Sequence, residues 1–137
     1  MIESLRRVCD EGGRLVGVDL ALFDGDEQFV TAVCLKFESL IAVFKALSEY
    51  DTLELTIGPF EVDEEEKIVS ASASHPWVNV IGGKVFWGWQ LTDQQGYSDG
   101  VQLEFTEPGT LQRRGIVQMV VAASMIEISV VVSTDPS

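Results

Sequence analysis

Basic residues are scarce in this sequence. Only 9 Lys and Arg stand against 22 Asp and Glu in 137 residues, which leaves a formal charge of −13 at pH 7 and a pI near 4.2. Such a field repels phosphate backbones and anionic lipid head groups, so nucleic acid and membrane are poor partners, whereas a basic protein or a cation is attracted. Acidity that serves solubility alone is the plain alternative. Histidine is nearly absent: His75 is the single one, which excludes a multi-histidine metal centre, and Cys9, Cys34 and His75 lack the C-x-x-C spacing of a zinc site. The 2 cysteines are too few for a disulfide scaffold. With an N-terminus, MIESLRR, that lacks the apolar core of a secretory signal, they read as free thiols of a reduced, cytoplasmic protein.

A long apolar run without breaks is also missing. Gly115 to Val132 has roughly the length of a membrane span, but Gln118, Ser124, Glu127 and Ser129 interrupt it, and its alternation predicts two adjacent strands instead. There is no G-x-S-x-G, no P-loop and no dinucleotide fingerprint. A Cys-His nucleophilic pair is disfavoured because Cys34 falls in a strand pattern and Cys9 in a helical one. Carboxylate pairs such as Asp19 with Glu54 carry no information in so acidic a chain. The expectation is a protein that is not an enzyme and uses no cofactor.

What is present is alternation. After a short helical pattern at Ile2 to Asp10, stopped by Gly12-Gly13, apolar residues recur at every second position: Val16, Val18, Leu20 and Leu22, then Phe29 to Phe37. Asp24-Gly25 between them is a tight-hairpin dipeptide. Leu40 to Leu47 fits a strand better than a helix, and Leu53, Leu55 and Ile57 alternate before Gly58-Pro59. Ile68 to Ala73 forms a further strand, and Val85, Trp87, Trp89 and Leu91 share a face of the next. Val101, Leu103 and Phe105 make one row; Val117, Met119, Val121 and Ala123 make another, and Ile126 to Val132 the last. Eight or nine strands with short connections predict a mainly β domain, an antiparallel meander forming a sandwich or partly closed barrel, with a short N-terminal helix. Its length suits one domain over residues 1–137, with the acidic run Glu61 to Glu66 as a surface loop.

Candidate functional residues lie in two loops. A polar stretch of about eight residues, Asp93 to Gly100, is longer than a hairpin needs. Asp93 and Asp99, with the amides of Gln94 and Gln95, have the oxygen ligands that hard cations prefer, but not EF-hand spacing; turn-forming carboxylates are the favoured reading. Tyr97 at the tip suits a protein contact. The second loop offers Glu64, Glu65 and Glu66 as a docking surface for a basic partner. Trp77, Trp87 and Trp89 invite a ligand-pocket reading, but Trp87 and Trp89, on one apolar row, are expected in the core, since each buries a large area; were that row to face outward, it would be an interface.

The segment GWQLTDQQGYSDGVQLEF at Gly88 to Phe105, with EYDTLEL at Glu49 to Leu55, resembles a small uncharacterised bacterial domain family with no assigned function. That resemblance spans most of the chain and implies a bacterial, stand-alone domain with no catalytic residues to transfer. In general character, though in no motif, the chain also resembles bacterial toxin-immunity proteins. The leading expectation is therefore a non-enzymatic acidic binding domain, of immunity or regulatory type, engaging a basic protein partner through Asp93, Gln94, Gln95, Tyr97, Asp99 and Glu64 to Glu66. The alternatives are a small-molecule or divalent-cation site bordered by Trp87, Trp89, Asp93 and Asp99, a homodimer formed through a sheet edge or the Trp row, and a DNA mimic.

Overall fold

In the computed structural model, which describes residues 1–133, two antiparallel sheets pack face to face as an open sandwich. Helix α1 (Ile2–Glu11) comes first, followed by strands β1 (Leu15–Phe23), β2 (Val30–Phe37), β3 (Ile41–Leu47), β4 (Thr52–Ile57) and β5 (Glu66–Ser70). A short 3-10 turn, Trp77–Asn79, precedes β6 (Lys84–Thr92), β7 (Ser98–Thr106), β8 (Arg113–Ala122) and β9 (Met125–Ser133). The first sheet has the order β4-β3-β2-β1-β5, the second β6-β7-β8-β9. The expected meander is present in both, and the sheets do not close into a barrel. Leu40 to Leu47, open between two readings in sequence, is strand, and the apolar stretch from Gly115 onward is the β8–β9 hairpin. No described helix is long and apolar enough to cross a membrane.

Side chains alternate across each strand, so one row per strand faces the opposite sheet. Val33, Leu35 and Phe44 of the first sheet and Val101, Leu103, Phe105, Val117 and Met119 of the second are buried in one hydrophobic cluster. The sheets are offset, with β4 over β7 and β2 over β9. That offset leaves β6 without a strand above it. α1 fills the gap, lying against β6 and β4 with Leu5 and Val8 buried. On the other flank, the segment between β5 and β6 covers the core with Trp77, which is 1% exposed.

The sheets contain several register shifts, and two of them re-aim side chains expected in the core. In β1 the register slips between Leu15 and Gly17, so Leu15 is buried while Val16, expected in the core row, is exposed. In β6 it slips between Val85 and Trp87. Val85 lies opposite buried Phe105, but Trp87 lies opposite Glu104, Gly88 opposite Leu103, and Trp89 opposite Gln102. Trp87 and Trp89 therefore stand on the outer face, 55% and 39% exposed, which corrects the core expectation for both. Gly88 takes the inward position because Leu5 of α1 sits 3.2 Å from where its Cβ would be. A tryptophan there has no room.

Candidate functional site

Strand direction gathers the turns. Because consecutive strands run antiparallel, the β1–β2, β3–β4, β6–β7 and β8–β9 turns all lie at one end of the sandwich. The run before β5 joins them, since the Asp24 amide donates to the Glu65 carbonyl at 2.7 Å. These connections hold Asp24, Asp26 and Glu27; Glu49 and Asp51; Asp63, Glu64 and Glu65; and Asp93, with no Lys or Arg among them. The basic residues are mostly elsewhere. Lys36 pairs with Asp19 at 2.6 Å and Arg113 with Glu104 at 2.7 Å, and Arg114 pairs with Glu107. Most of the charge excess of the chain thus resides at the turn end.

The Asp93 loop is shorter than the sequence suggests. Its irregular part is Asp93 to Tyr97, because Ser98, Asp99 and Gly100 belong to β7. Thr92 pairs with Ser98 and Leu91 with Gly100, so Asp99 is the extra residue of a bulge, and that bulge is what lengthened the polar stretch. The Asp93 carboxylate accepts the backbone amides of Gln95 at 2.8 Å and Tyr97 at 3.0 Å, and its own amide donates to the Tyr97 carbonyl at 2.9 Å. This is the turn role favoured from sequence. Asp93→Ala is expected to lower stability by ~1 kcal/mol, the usual scale for such hydrogen bonds, with Asp93→Asn retaining part of it, as thermal unfolding measures.

Asp93 and Asp99 bring no third acidic, cysteine or histidine ligand with them, and no group of three such residues able to hold a metal occurs among the described residues. The groove that Trp87 lines does not include Trp89, Asp93 or Asp99. Of about 430 Å³, it lies beside α1 with Leu5, Arg6, Cys9 and Phe86. Gln94 and Gln95 are exposed at the loop tip, as are Glu64 and Glu65 in the acidic run. Glu66 differs: it is the first residue of β5, accepts the Asp63 amide at 2.9 Å and takes a hydrogen bond from the Thr31 hydroxyl. It braces the sheet and is not a free docking charge.

Tyr97 does not stand alone. Its ring stacks on Tyr50 of the β3–β4 turn, centroids 5.3 Å apart and planes within 9°, which joins turns of the two sheets. A second tie follows directly, as the Asp51 carboxylate accepts the Ser124 amide at 2.9 Å. Sequence reasoning missed both Tyr50 and Ser124 as members of this end, and it placed Ala123 in a strand. Ala123 and Ser124 form the β8–β9 turn, each with positive φ, a conformation that non-glycine residues adopt at some cost. The contact with Asp51, far away in sequence, helps to hold it. No local signal announces such a turn.

Burial disfavours the thiolate form at both cysteines. Burial raises the pKa of Cys34 to about 11, with Lys36 opposing and Asp19 reinforcing the shift, and burial also raises that of Cys9. Both are free. His75 lies on the opposite flank from α1, in a cleft of about 400 Å³ with Leu20, Glu27, Val69, Trp77 and Ile128, whose lining includes neither cysteine.

A family model describing a family of unknown function, DUF6334, matches residues 3–134. The chain belongs to that family. Membership accords with the resemblance read from Gly88 to Phe105 and Glu49 to Leu55, and the DUF6334 description names no activity and lends nothing to the likeness to toxin-immunity proteins. No curated protein and no solved structure matches the chain significantly.

Proposed function

We propose that this DUF6334 chain is a non-enzymatic binding domain whose acidic turn end engages a basic protein. The observation that carries this reading is the convergence of four turns and the Asp63 to Glu65 run at one end without a Lys or Arg among them, bordered by the exposed Tyr50–Tyr97 stack. Clustered like charges raise the association rate for an oppositely charged partner, while a rigid aromatic pair prolongs the complex once formed. A stacked pair suits that role because each ring already restrains the other, so less side-chain freedom is lost on binding. The free thiols Cys9 and Cys34 fit a reducing compartment such as the cytoplasm.

The test is capture from lysate of the native host at low salt, with wild type beside two variants, Tyr50→Ala/Tyr97→Ala and Glu64→Lys/Glu65→Lys. A basic protein should be captured by wild type and released by salt. The tyrosine variant should bind it at least about tenfold more weakly, the scale of losing an interface anchor, and the charge variant should lose most of the salt dependence. Equal affinity in all three would refute the reading.

A further inference from the structure

The sandwich has four strands at sheet edges, and one of them, β6, is left open over its second half. Edge strands present unpaired backbone groups, and proteins guard them with charges, prolines or coverings. β4 carries Glu54, β5 carries Glu66 and Lys67, and β9 carries Glu127. β6 has no charge from Val85 to Thr92. Its start is covered, because Lys84 bridges to Arg14 and the Gly83 carbonyl accepts the Leu15 amide at 2.8 Å. Among the described residues, no hydrogen bond leaves the strand from Trp87 onward except to β7. On that open stretch Trp87 and Trp89 stand on the outer face, with the Phe86 ring, 45% exposed, at the bulge.

We propose that β6 is a self-association edge at which a second copy of the chain pairs antiparallel, extending the β6-β7-β8-β9 sheet across a two-fold axis. This goes beyond the acidic-end reading and does not depend on it. Pairing across such an axis keeps outer-face residues on one side of the joined sheet, which the register centred on Gly88 satisfies: Trp87 meets the partner's Trp89, and Trp89 meets the partner's Trp87. Aromatic pairs across strands are among the more favourable cross-strand contacts. Gly88 at the axis adds no side chain where α1 already lies close.

Charge selects this orientation. β6 begins at Lys84 and is followed by Asp93 at the acidic end, so antiparallel copies bring Lys84 of each toward Asp93 of the partner subunit. A parallel arrangement would set the acidic ends side by side. Antiparallel pairing separates them by about the length of the strand, roughly 30 Å at ~3.4 Å per residue. That is several Debye lengths at physiological salt, ~8 Å each, so the repulsion expected from two chains of charge −13 is largely screened.

Sedimentation velocity on the full chain tests the proposal, with Trp89→Lys as the disrupting variant and Val131→Lys, at an exposed position of the β9 edge, as the control. Wild type and the control should dimerise, whereas Trp89→Lys should dissociate at least about tenfold more readily, in line with losing a central aromatic anchor. Far-ultraviolet circular dichroism separates lost pairing from lost folding. Dilution of wild type gives an independent measure without any variant: its tryptophan emission should shift to the red as Trp87 and Trp89 become solvated. A wild type that stays monomeric at the highest soluble concentration with emission constant on dilution overturns the proposal, as does a Trp89→Lys variant as dimeric as wild type.

Discussion

Trp77→Ala is expected to destabilise the protein by about 3–5 kcal/mol, the range for removing a large aromatic from a packed core. Trp77 is 1% exposed and belongs to the main hydrophobic cluster. It also lines the cleft with Leu20, Val69 and Ile128, so truncation would join the vacated volume to an opening that water already reaches. The surrounding strands are held by sheet hydrogen bonds and cannot collapse inward to fill the space. The backbone around it depends on its position as well, since the amides of Val80 at 2.9 Å and Ile81 at 3.0 Å donate to the Trp77 carbonyl. Urea unfolding should show a lower midpoint with an unchanged denaturant slope. A loss below ~1 kcal/mol would mean that this segment is not part of the cooperative core. Trp89→Ala, on the open face, provides the contrast and should change monomer stability little.

Alkaline pH should weaken the fold through Cys34. Its thiol is fully buried in β2, and burial raises its pKa from 9.0 to about 11. Below pH ~9 the thiol is protonated whether the chain is folded or not, so it contributes no pH dependence. Between about 9 and 11 the unfolded thiol ionises while the folded one does not, which draws the equilibrium toward unfolding by up to ~1.4 kcal/mol per pH unit. The total is ~2–3 kcal/mol across that window. Lys36 acts in the same direction, because its hydrogen bond to Asp19 raises its pKa above 10.5. The stabilisation from that contact is complete below the unfolded value and is lost as pH rises through the folded one. Urea midpoints on either side of the window, for wild type and Cys34→Ala, isolate the thiol: the variant should show a distinctly smaller alkaline loss. Identical slopes would place the pH dependence in other groups.

Strand existence was legible because alternation is a local property of the chain. Leu53, Leu55 and Ile57, or Val101, Leu103 and Phe105, announce a half-buried strand without knowledge of what covers it. The Asp24-Gly25 hairpin was legible for the same reason, as both residues take the positive φ that this dipeptide tolerates. Bulges broke the reading. A single extra residue at Phe86 reverses the facing of all that follows, and nothing in the sequence Val85-Phe86-Trp87 distinguishes a bulge from continued alternation. Ile68 to Ala73 slipped for another reason: β5 begins two residues earlier, at Glu66, where backbone pairing with β1 outweighs the low strand propensity of Glu and Lys.

At the candidate site the division is similar. The roles of Asp93 as a turn carboxylate and of Tyr97 as an exposed aromatic follow from short-range chemistry, and both were read from the loop itself. Tyr50, Asp51 and Ser124 entered only through contacts between sheets, the 5.3 Å ring stack and the 2.9 Å hydrogen bond.

A β-rich, strongly acidic chain with free thiols is written into local order, because composition and two-residue periodicity are summed over neighbours and survive any arrangement of the strands. Where the acid excess collects and which way the tryptophans face are not local properties. Those depend on the stacking of one sheet over the other, on the offset that admits α1 above Gly88, and on a one-residue slip in β6, each set by contacts between segments far apart in the chain.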